Sequence, residues 1–235
     1  MGISHYLAMT AAEMAAAEMI PNQLAYMACH FSPYGTGLTN FPEYLPKNTM
    51  LILNDRIPFQ GHAMSHIAEL LMECIQNLQC SCLLLDFQRN DTPKELCNIL
   101  TQALPCPVGI AADFADTTDG PVFLPPPPLD ESLETYLLPW ERRELWLEIE
   151  PAALKITVDE KESQFCRIAS DAAGECSFKD TRLHCRYRTE VFPDRVEFAL
   201  QRTETELAEL LAEAEALGVT KAISLYQQMK KLPVQ

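Results

Sequence analysis

The chain has 235 residues, of which 48% are hydrophobic and 22% charged, and its formal net charge is −15. Because the acidic residues are spread along the chain, we expect no nucleic-acid-binding surface and no attraction to an anionic membrane. No apolar run reaches the length of about 20 residues that a membrane span needs, and the N-terminus lacks the pattern of a signal peptide.

The nine cysteines form no Cys-x-x-Cys pair. Several lie inside apolar stretches, where cysteine behaves as a small hydrophobic residue. This usage indicates a reducing compartment, and we predict a cytoplasmic protein. We predict no cofactor, since Gly35-Thr36-Gly37 lacks the third glycine of a dinucleotide fingerprint and the phosphate-binding pattern Gly-x-x-x-x-Gly-Lys-Ser/Thr does not occur.

Apolar stretches bounded by proline, glycine and polar residues predict eight strands. These strands cover residues 24–31, 49–53, 80–89, 107–112, 122–124, 144–150, 196–200 and 221–226. Residues 5–7 fit either a strand or an extended arm. Helical patterns separate most of the strands, and they cover residues 11–19, 62–79, a segment beginning at Thr92-Pro93, and residues 131–138, 203–217 and 227–231.

This alternation of strands and helices predicts a single α/β domain over residues 1–235, a (β/α)8 barrel of the TIM type that is slightly short. A doubly wound open α/β sheet is the alternative. The alternation of strands and helices is interrupted at residues 154–191, which we interpret as an insertion. Residues 154–159 and 164–169 fit a β-hairpin, and residues 183–191 are basic and aromatic.

The carboxyl ends of barrel strands converge on one mouth, where proteins of this fold place their chemistry. The predicted strands bring a mainly acidic set of side chains there: His30, Asn54, Asp55, Asp86, Gln88, Asp113, Glu148, Glu150, Arg202 and Tyr226. Carboxylates in such a ring serve as general acid and base or as metal ligands. We assign candidate catalytic roles to Asp86, Glu148 and Glu150, with no dedicated metal site.

The other candidates would bind substrate. His30, Asp55, Gln88, Asp113 and Tyr226 come from the strand ends. Tyr34 lies in a loop whose glycines permit folding over the mouth. Arg186 and Tyr187, in the basic and aromatic segment, can bind a carboxylate, phosphate or sugar through fork-shaped hydrogen bonds and ring stacking.

The stretch Leu84-Leu85-Asp86-Phe87-Gln88 resembles the end of the active-site strand of family 18 glycoside hydrolases, the chitinase-like barrels. That strand ends in Asp-x-Asp-x-Glu, usually with an aromatic residue before the Glu. Asp86 matches the second Asp and Phe87 the aromatic position. The resemblance implies that Asp86 would hold the acetamide of a substrate, while the residue at position 88 would protonate the leaving oxygen.

The sequence departs from that pattern at three points. Position 88 is Gln, whose amide has no proton to donate at neutral pH. Leu84 stands where the first Asp is expected, and the strand is the third of those predicted, whereas the resemblance implies the fourth. The resemblance therefore implies that the usual hydrolase activity is lost or that another acid, Glu148 or Glu150, replaces it.

Three functions stay open. The first is a glycoside-hydrolase-like barrel that binds a saccharide or a similar small polar ligand at its mouth, without the hydrolysis typical of the family. The second is a non-catalytic binding or assembly protein that uses residues 154–191 as its contact surface. The third is a metal-dependent enzyme that uses the carboxylate ring. No nucleic acid or membrane partner is expected, and the sequence does not specify an oligomeric state.

Overall fold

The computed structural model describes residues 2–61 and 63–229. The strands are β1 (Ser4–Met9), β2 (Leu24–Phe31), β3 (Leu38–Thr39), β4 (Met50–Asn54), β5 (Cys82–Asp86), β6 (Val108–Ala111), β7 (Val122–Leu124), β8 (Leu145–Glu148), β9 (Ala152–Asp159), β10 (Ser163–Arg167), β11 (Phe178–Asp180), β12 (Cys185–Val191), β13 (Arg195–Arg202) and β14 (Val219–Leu225). The α-helices are α1 (Ala11–Ala16), α2 (Met64–Leu78), α3 (Lys94–Ala103), α4 (Leu133–Leu137), α5 (Glu204–Ala216) and α6 (Tyr226–Met229).

Eight parallel strands from the described part of the chain close into a TIM-type (β/α)8 barrel. Their order around the barrel is β1, β2, β4, β5, β6, β7, β8 and β14. Strand β1 closes the barrel, because it pairs in parallel with β14 on one side and with β2 on the other. The predicted barrel is confirmed. The open-sheet alternative is wrong, because a closed sheet has no free edges.

The structure corrects the predicted barrel strands at two places. Residues 5–7 belong to β1 and are part of the barrel wall. Residues 196–200, predicted as a barrel strand, lie in β13, which pairs antiparallel with β9 and β12 in a separate sheet. With β1 counted, β5 is the fourth barrel strand, the position that the resemblance implies for the strand carrying Asp86.

The predicted helices are confirmed, and α1, α2, α4 and α5 are each shorter than the predicted range. The capping boxes at Thr10 and Thr203 both form, each with a Glu three residues later that hydrogen-bonds back to the cap. Helix α2 begins at Met64, and His62, where the helix was predicted to begin, lies outside the described residues. The same holds for positions 230 and 231 of the predicted final helix, whose described part is α6. Among the described residues, no helix has the length and apolar character that crossing a bilayer requires.

The barrel wall separates two apolar cores. Inward-facing residues such as Tyr6, Leu84 and Ile223 pack around Trp146, which is fully buried. Outward-facing residues pack in a second cluster with the apolar faces of α2 and α3. Trp146 thus fills the barrel interior.

The chain divides into two compact units. Within the described residues, the barrel unit comprises 2–125, 142–148 and 220–229, and the second unit comprises 126–141 and 149–219. The second unit contains the antiparallel sheet β10-β9-β13-β12-β11 together with α4 and α5. The predicted hairpin is confirmed in β9 and β10. The unit is larger than the predicted insertion of residues 154–191, because β13, α5 and the segment 126–141 also belong to it.

Gly109 in β6 makes room for the indole ring of Trp146. A Cβ atom at position 109 would lie 2.2 Å from Cε3 of Trp146, closer than van der Waals contact allows. We expect Gly109→Ala to lower the free energy of unfolding by about 1–3 kcal/mol, because the side chain overpacks the barrel interior. Urea denaturation followed by tryptophan fluorescence measures the change.

Gly61→Ala is the matched control. A Cβ atom at position 61 would meet no atom within 4 Å, so its stability should stay within about 0.5 kcal/mol of the wild type. Equal stability of the two variants would show that the close approach of Gly109 and Trp146 does not limit the packing.

Candidate functional site

Side-chain alternation along β5 points Asp86 toward the barrel mouth. Cys82 and Leu84 face the barrel interior, whereas Leu83 and Leu85 face the outer core. Because side chains on a strand alternate between its two faces, Asp86 follows Leu84 on the inner side. It is the last residue of the strand.

Phe87 anchors the chain where it leaves the barrel wall. Its side chain is 1% exposed and contacts the rings of Phe31 and Phe114, with centroids 5.8 and 5.9 Å away. Edge-on and tilted ring contacts of this kind stabilise beyond the area they bury. The aromatic position of the family resemblance is therefore occupied here by a packing residue that fixes the positions of its two polar neighbours.

Asp86 and Gln88 form a hydrogen-bonded pair. Nε2 of Gln88 donates to Oδ1 of Asp86 at 3.2 Å. Burial raises the pKa of the half-buried Asp86 carboxyl, and the negative charge of Asp55 adds to the shift, whereas the hydrogen bond from Gln88 and the charge of Arg56 oppose it. Burial is thus the largest influence on the pKa of Asp86, and the amide of Gln88 partly compensates it.

Asp55 has a structural role in addition to its place at the mouth. Its carboxylate is 2% exposed and accepts hydrogen bonds from the backbone N–H groups of Gln88 and Arg89, both at 3.0 Å. The Thr92 hydroxyl donates a third at 2.6 Å. Asp55 therefore ties the segment after β5 to the end of β4, and its oxygens are largely occupied by the protein.

An open cavity of about 360 Å³, here called the mouth cavity, lies at the strand ends. This volume is near the lower limit for small-molecule sites. Its polar wall is formed by Asn54, Asp55, Arg56, Asp86, Gln88, Arg89 and Glu148. Its apolar floor is formed by Ala8, Met27, Ile52, Leu84, Phe123, Ile223 and Leu225.

A smaller cavity of about 240 Å³, the side cavity, shares part of this wall. Asp86, Gln88, Phe123 and Glu148 line both cavities, and exposed Asp113 lines the side cavity alone. Five predicted site residues therefore line the two cavities, namely Asp55, Asp86, Gln88, Asp113 and Glu148, and Glu148 is a second carboxylate that lines both cavities with Asp86.

Other predicted residues of the barrel unit lie elsewhere. His30 donates from Nδ1 to the carbonyl of Phe31 at 2.8 Å and accepts at Nε2 from Asn40 at 3.0 Å, so both ring nitrogens have protein partners. Tyr34 is 81% exposed in the loop after β2. Tyr226 begins α6 and packs against the outer core. These three residues are absent from the lining of both cavities.

Several predicted site residues belong to the second unit. Glu150 accepts a hydrogen bond from Nη1 of Arg167 at 3.1 Å. Arg186 donates from Nε to fully buried Glu206 at 2.9 Å, so its guanidinium binds an internal carboxylate. The ring of Tyr187 lies 5.5 Å from that of Phe178.

Arg202, expected at the mouth, is instead a structural residue of β13. It is 2% exposed and donates to the carbonyl oxygens of Pro127, Leu183 and His184. Burial lowers its pKa to about 10. Its expected position followed from the incorrect assignment of residues 196–200 to the barrel.

Sequence reasoning missed Arg56, Arg89 and Phe123 as lining residues. Arg56 follows β4 by two positions and Arg89 follows β5 by three, so the strand-end rule that selected Asp55 and Gln88 would also have included them. Phe123 lies in the middle of the short strand β7, where alternation alone gives no indication of which face is inward. Within residues 2–61 and 63–229, no group of three or more His, Cys, Asp and Glu side chains is arranged to hold a metal ion.

The barrel is similar to those of solved family 18-like glycoside hydrolases. The spore cortex-lytic enzyme SleL of Bacillus cereus has a TM-score of 0.56 at 8% identity, over 95% of this chain and 70% of that one. A chitinase of Chromobacterium violaceum has a TM-score of 0.56 at 9% identity, over 97% and 95% of the two chains. A family 18 N-acetylglucosaminidase of Paenibacillus barengoltzii has a TM-score of 0.52 at 8% identity, over 95% and 94%.

At 8–9% identity, these TM-scores establish a similarity of fold alone. No family model matches the sequence, and no curated protein matches it. The structural likeness agrees with the family resemblance of the short stretch around Asp86, and the two were reached from different observations.

We expect Asp55→Asn to lower the free energy of unfolding by about 1–3 kcal/mol. The carboxylate accepts hydrogen bonds from two N–H groups and one hydroxyl, whereas the NH2 group of the amide is a donor and would leave some of them without an acceptor. Chemical denaturation measures the loss, and hydrogen exchange at residues 88–92 should show faster opening of the tied segment.

Asp91→Asn is the control for the loss of a carboxylate in the same segment. Asp91 binds Arg89 at 2.8 Å on the surface, and an exposed pair of this kind contributes little. If Asp91→Asn destabilised the fold as much as Asp55→Asn, the hydrogen bonds of Asp55 would not be what holds the segment.

Proposed function

We propose that the mouth of the barrel binds a saccharide or a similar small polar ligand and does not hydrolyse it by the route typical of family 18. The observation that carries this proposal is the common placement of Asp86, Gln88 and Glu148 along one open cavity at the end of the fourth barrel strand. The fold likeness to glycoside hydrolases supports the class of ligand by analogy.

The chemistry of the cavity suits a sugar. Sugars present hydroxyl and amide groups that both donate and accept hydrogen bonds, together with apolar ring faces. The polar wall offers the amides of Asn54 and Gln88 and the carboxyls of Asp86 and Glu148, above a floor of aliphatic side chains and Phe123. A few convergent polar groups over an apolar surface are typical of small-molecule sites.

The pair of Asp86 and Gln88 argues against hydrolysis. Protonation of a leaving glycosidic oxygen requires an acid, and the amide of Gln88 cannot supply the proton. The same amide can hold Asp86 and donate to a bound sugar. Glu148 is the remaining candidate acid at the mouth, whereas Glu150 belongs to the second unit and binds Arg167.

A second candidate function is assembly with another protein through the second unit. Phe165 is 57% exposed and Phe178 is 59% exposed. They lie on β10 and β11, the two edge strands of the antiparallel sheet, where unpaired backbone groups and apolar side chains favour association. The metal-dependent alternative and the cytoplasmic location stay predictions from the sequence.

Isothermal titration calorimetry with the tetrasaccharide of N-acetylglucosamine tests the proposal. We expect the wild-type protein to bind without cleaving the sugar, and Asp86→Ala to bind roughly tenfold more weakly or worse, because a hydrogen-bonding charged group is removed. Asp119→Ala, which removes an exposed carboxylate outside both cavities, should bind as the wild type does. No binding by the wild type would contradict the proposal.

Gln88→Glu tests the reason for the missing activity. The substitution places an ionisable carboxyl two residues after Asp86, and it should produce measurable release of a fluorogenic aglycone from a chitobioside that the wild-type protein leaves intact. Turnover by the wild type, lost in Glu148→Gln, would show that the site is an active hydrolase with another acid.

A further inference from the structure

Arg56 presents an unpartnered guanidinium at the mouth cavity. The residue is exposed and lines the cavity. Its backbone N–H donates to Oδ1 of Asn54 at 3.3 Å, which holds the chain close to the end of β4. Within residues 2–61 and 63–229, its guanidinium makes no hydrogen bond or ion pair. All of its side-chain donors are therefore available to a ligand.

The second arginine of the cavity wall already has a carboxylate partner. Arg89 donates from Nε and Nη2 to the two carboxylate oxygens of Asp91, each at 2.8 Å. These two hydrogen bonds occupy the edge of the guanidinium that would otherwise bind a planar anion. Arg56 is thus the cation of this wall that stays available to a ligand.

The positive charge of Arg56 lies close enough to Asp86 to act on it. Arg56 lowers the pKa of Asp86 against the opposing effect of burial. The side cavity, by contrast, is lined by Asp86, Asp113 and Glu148, and none of the described residues that line it is basic. Asp86 and Glu148 line both cavities, so the two cavities differ in that the basic side chains of Arg56 and Arg89 line the mouth cavity and not the side cavity.

We propose that Arg56 selects an acidic saccharide by binding the carboxylate of a uronic-acid-type sugar in the mouth cavity. This inference rests on the proposed function, since it names the class of ligand for that site. A guanidinium matches the two oxygens of a carboxylate with two parallel N–H donors, a geometry that a neutral hydroxyl does not use.

The net charge of the whole chain makes a local cation such as Arg56 necessary for binding an anion. With a formal net charge of −15, the protein repels anionic ligands in general. An acidic sugar would gain from the mouth cavity only if a local cation overcame that repulsion. The selectivity should therefore depend on Arg56 alone, and it should weaken as salt screens the exposed charge.

Two tetrasaccharides provide the test, each titrated calorimetrically into the full chain at low salt. One is the neutral N-acetylglucosamine tetrasaccharide, and the other is the hyaluronan tetrasaccharide, which alternates N-acetylglucosamine with glucuronic acid. We expect the wild type to bind the acidic sugar roughly tenfold more tightly than the neutral one. Arg56→Gln should abolish this preference, and Arg56→Lys should retain only part of it.

Arg142→Gln is the matched control, because Arg142 is also exposed and unpartnered among the described residues but lies before β8, away from the strand ends that form the mouth. Its preference should equal that of the wild type. Equal binding of both sugars by the wild type, or a preference that survives Arg56→Gln, would overturn this inference and leave the proposed function standing. Binding of neither sugar would contradict both.

Discussion

The buried carboxylate of Asp55 links the two strand ends on which the candidate site depends. It accepts two backbone N–H groups and a hydroxyl from the segment that follows β5. One of those N–H groups belongs to Gln88, whose side chain in turn holds Asp86. A charged acceptor shared by three donors fixes their positions more firmly than neutral hydrogen bonds would, so the geometry of the mouth follows from the burial of this one group.

Closure of the barrel is the second constraint. Strand β1 connects β14 to β2, and its inclusion makes β5 the fourth strand of the wall. The barrel interior below the mouth is filled by side chains, because the indole ring of Trp146 occupies the space beside Gly109. The cavity is consequently confined to the strand ends, where Asp86, Gln88 and Glu148 meet.

Much of this architecture could be predicted from the sequence, because buried parallel strands are short apolar runs between polar breaks. Seven of the eight predicted strands coincide with barrel strands. The eighth failed because an antiparallel strand such as β13, which is half-buried or buried along its length, has the same local composition as a strand of a barrel wall. Residues 5–7 carry no decisive local pattern for a strand, because the partners of β1 lie beyond α1, at residues 24–26, and far away in sequence, at residues 221–225.

The lining of the candidate site could be predicted where it follows from strand ends. It could not be predicted where it depends on which side chains pair in the folded structure. Asp86, Gln88 and Glu148 were identified because each ends or follows a barrel strand. The partner of Arg186 is a buried glutamate 20 residues away on another element, and that of Glu150 is an arginine 17 residues away. No local pattern indicates such pairs, and for this reason the sequence could not separate internal ion pairs from ligand-binding groups.

The proposal that the mouth around Asp86 binds a saccharide without cleaving it can be tested with a crystal of the protein soaked with the N-acetylglucosamine tetrasaccharide. We expect sugar density in the mouth cavity, in hydrogen-bonding contact with Asp86 and Gln88, with every glycosidic bond unbroken. An empty cavity in a crystal whose mouth is open to solvent, or sugar bound only on the second unit, would contradict it.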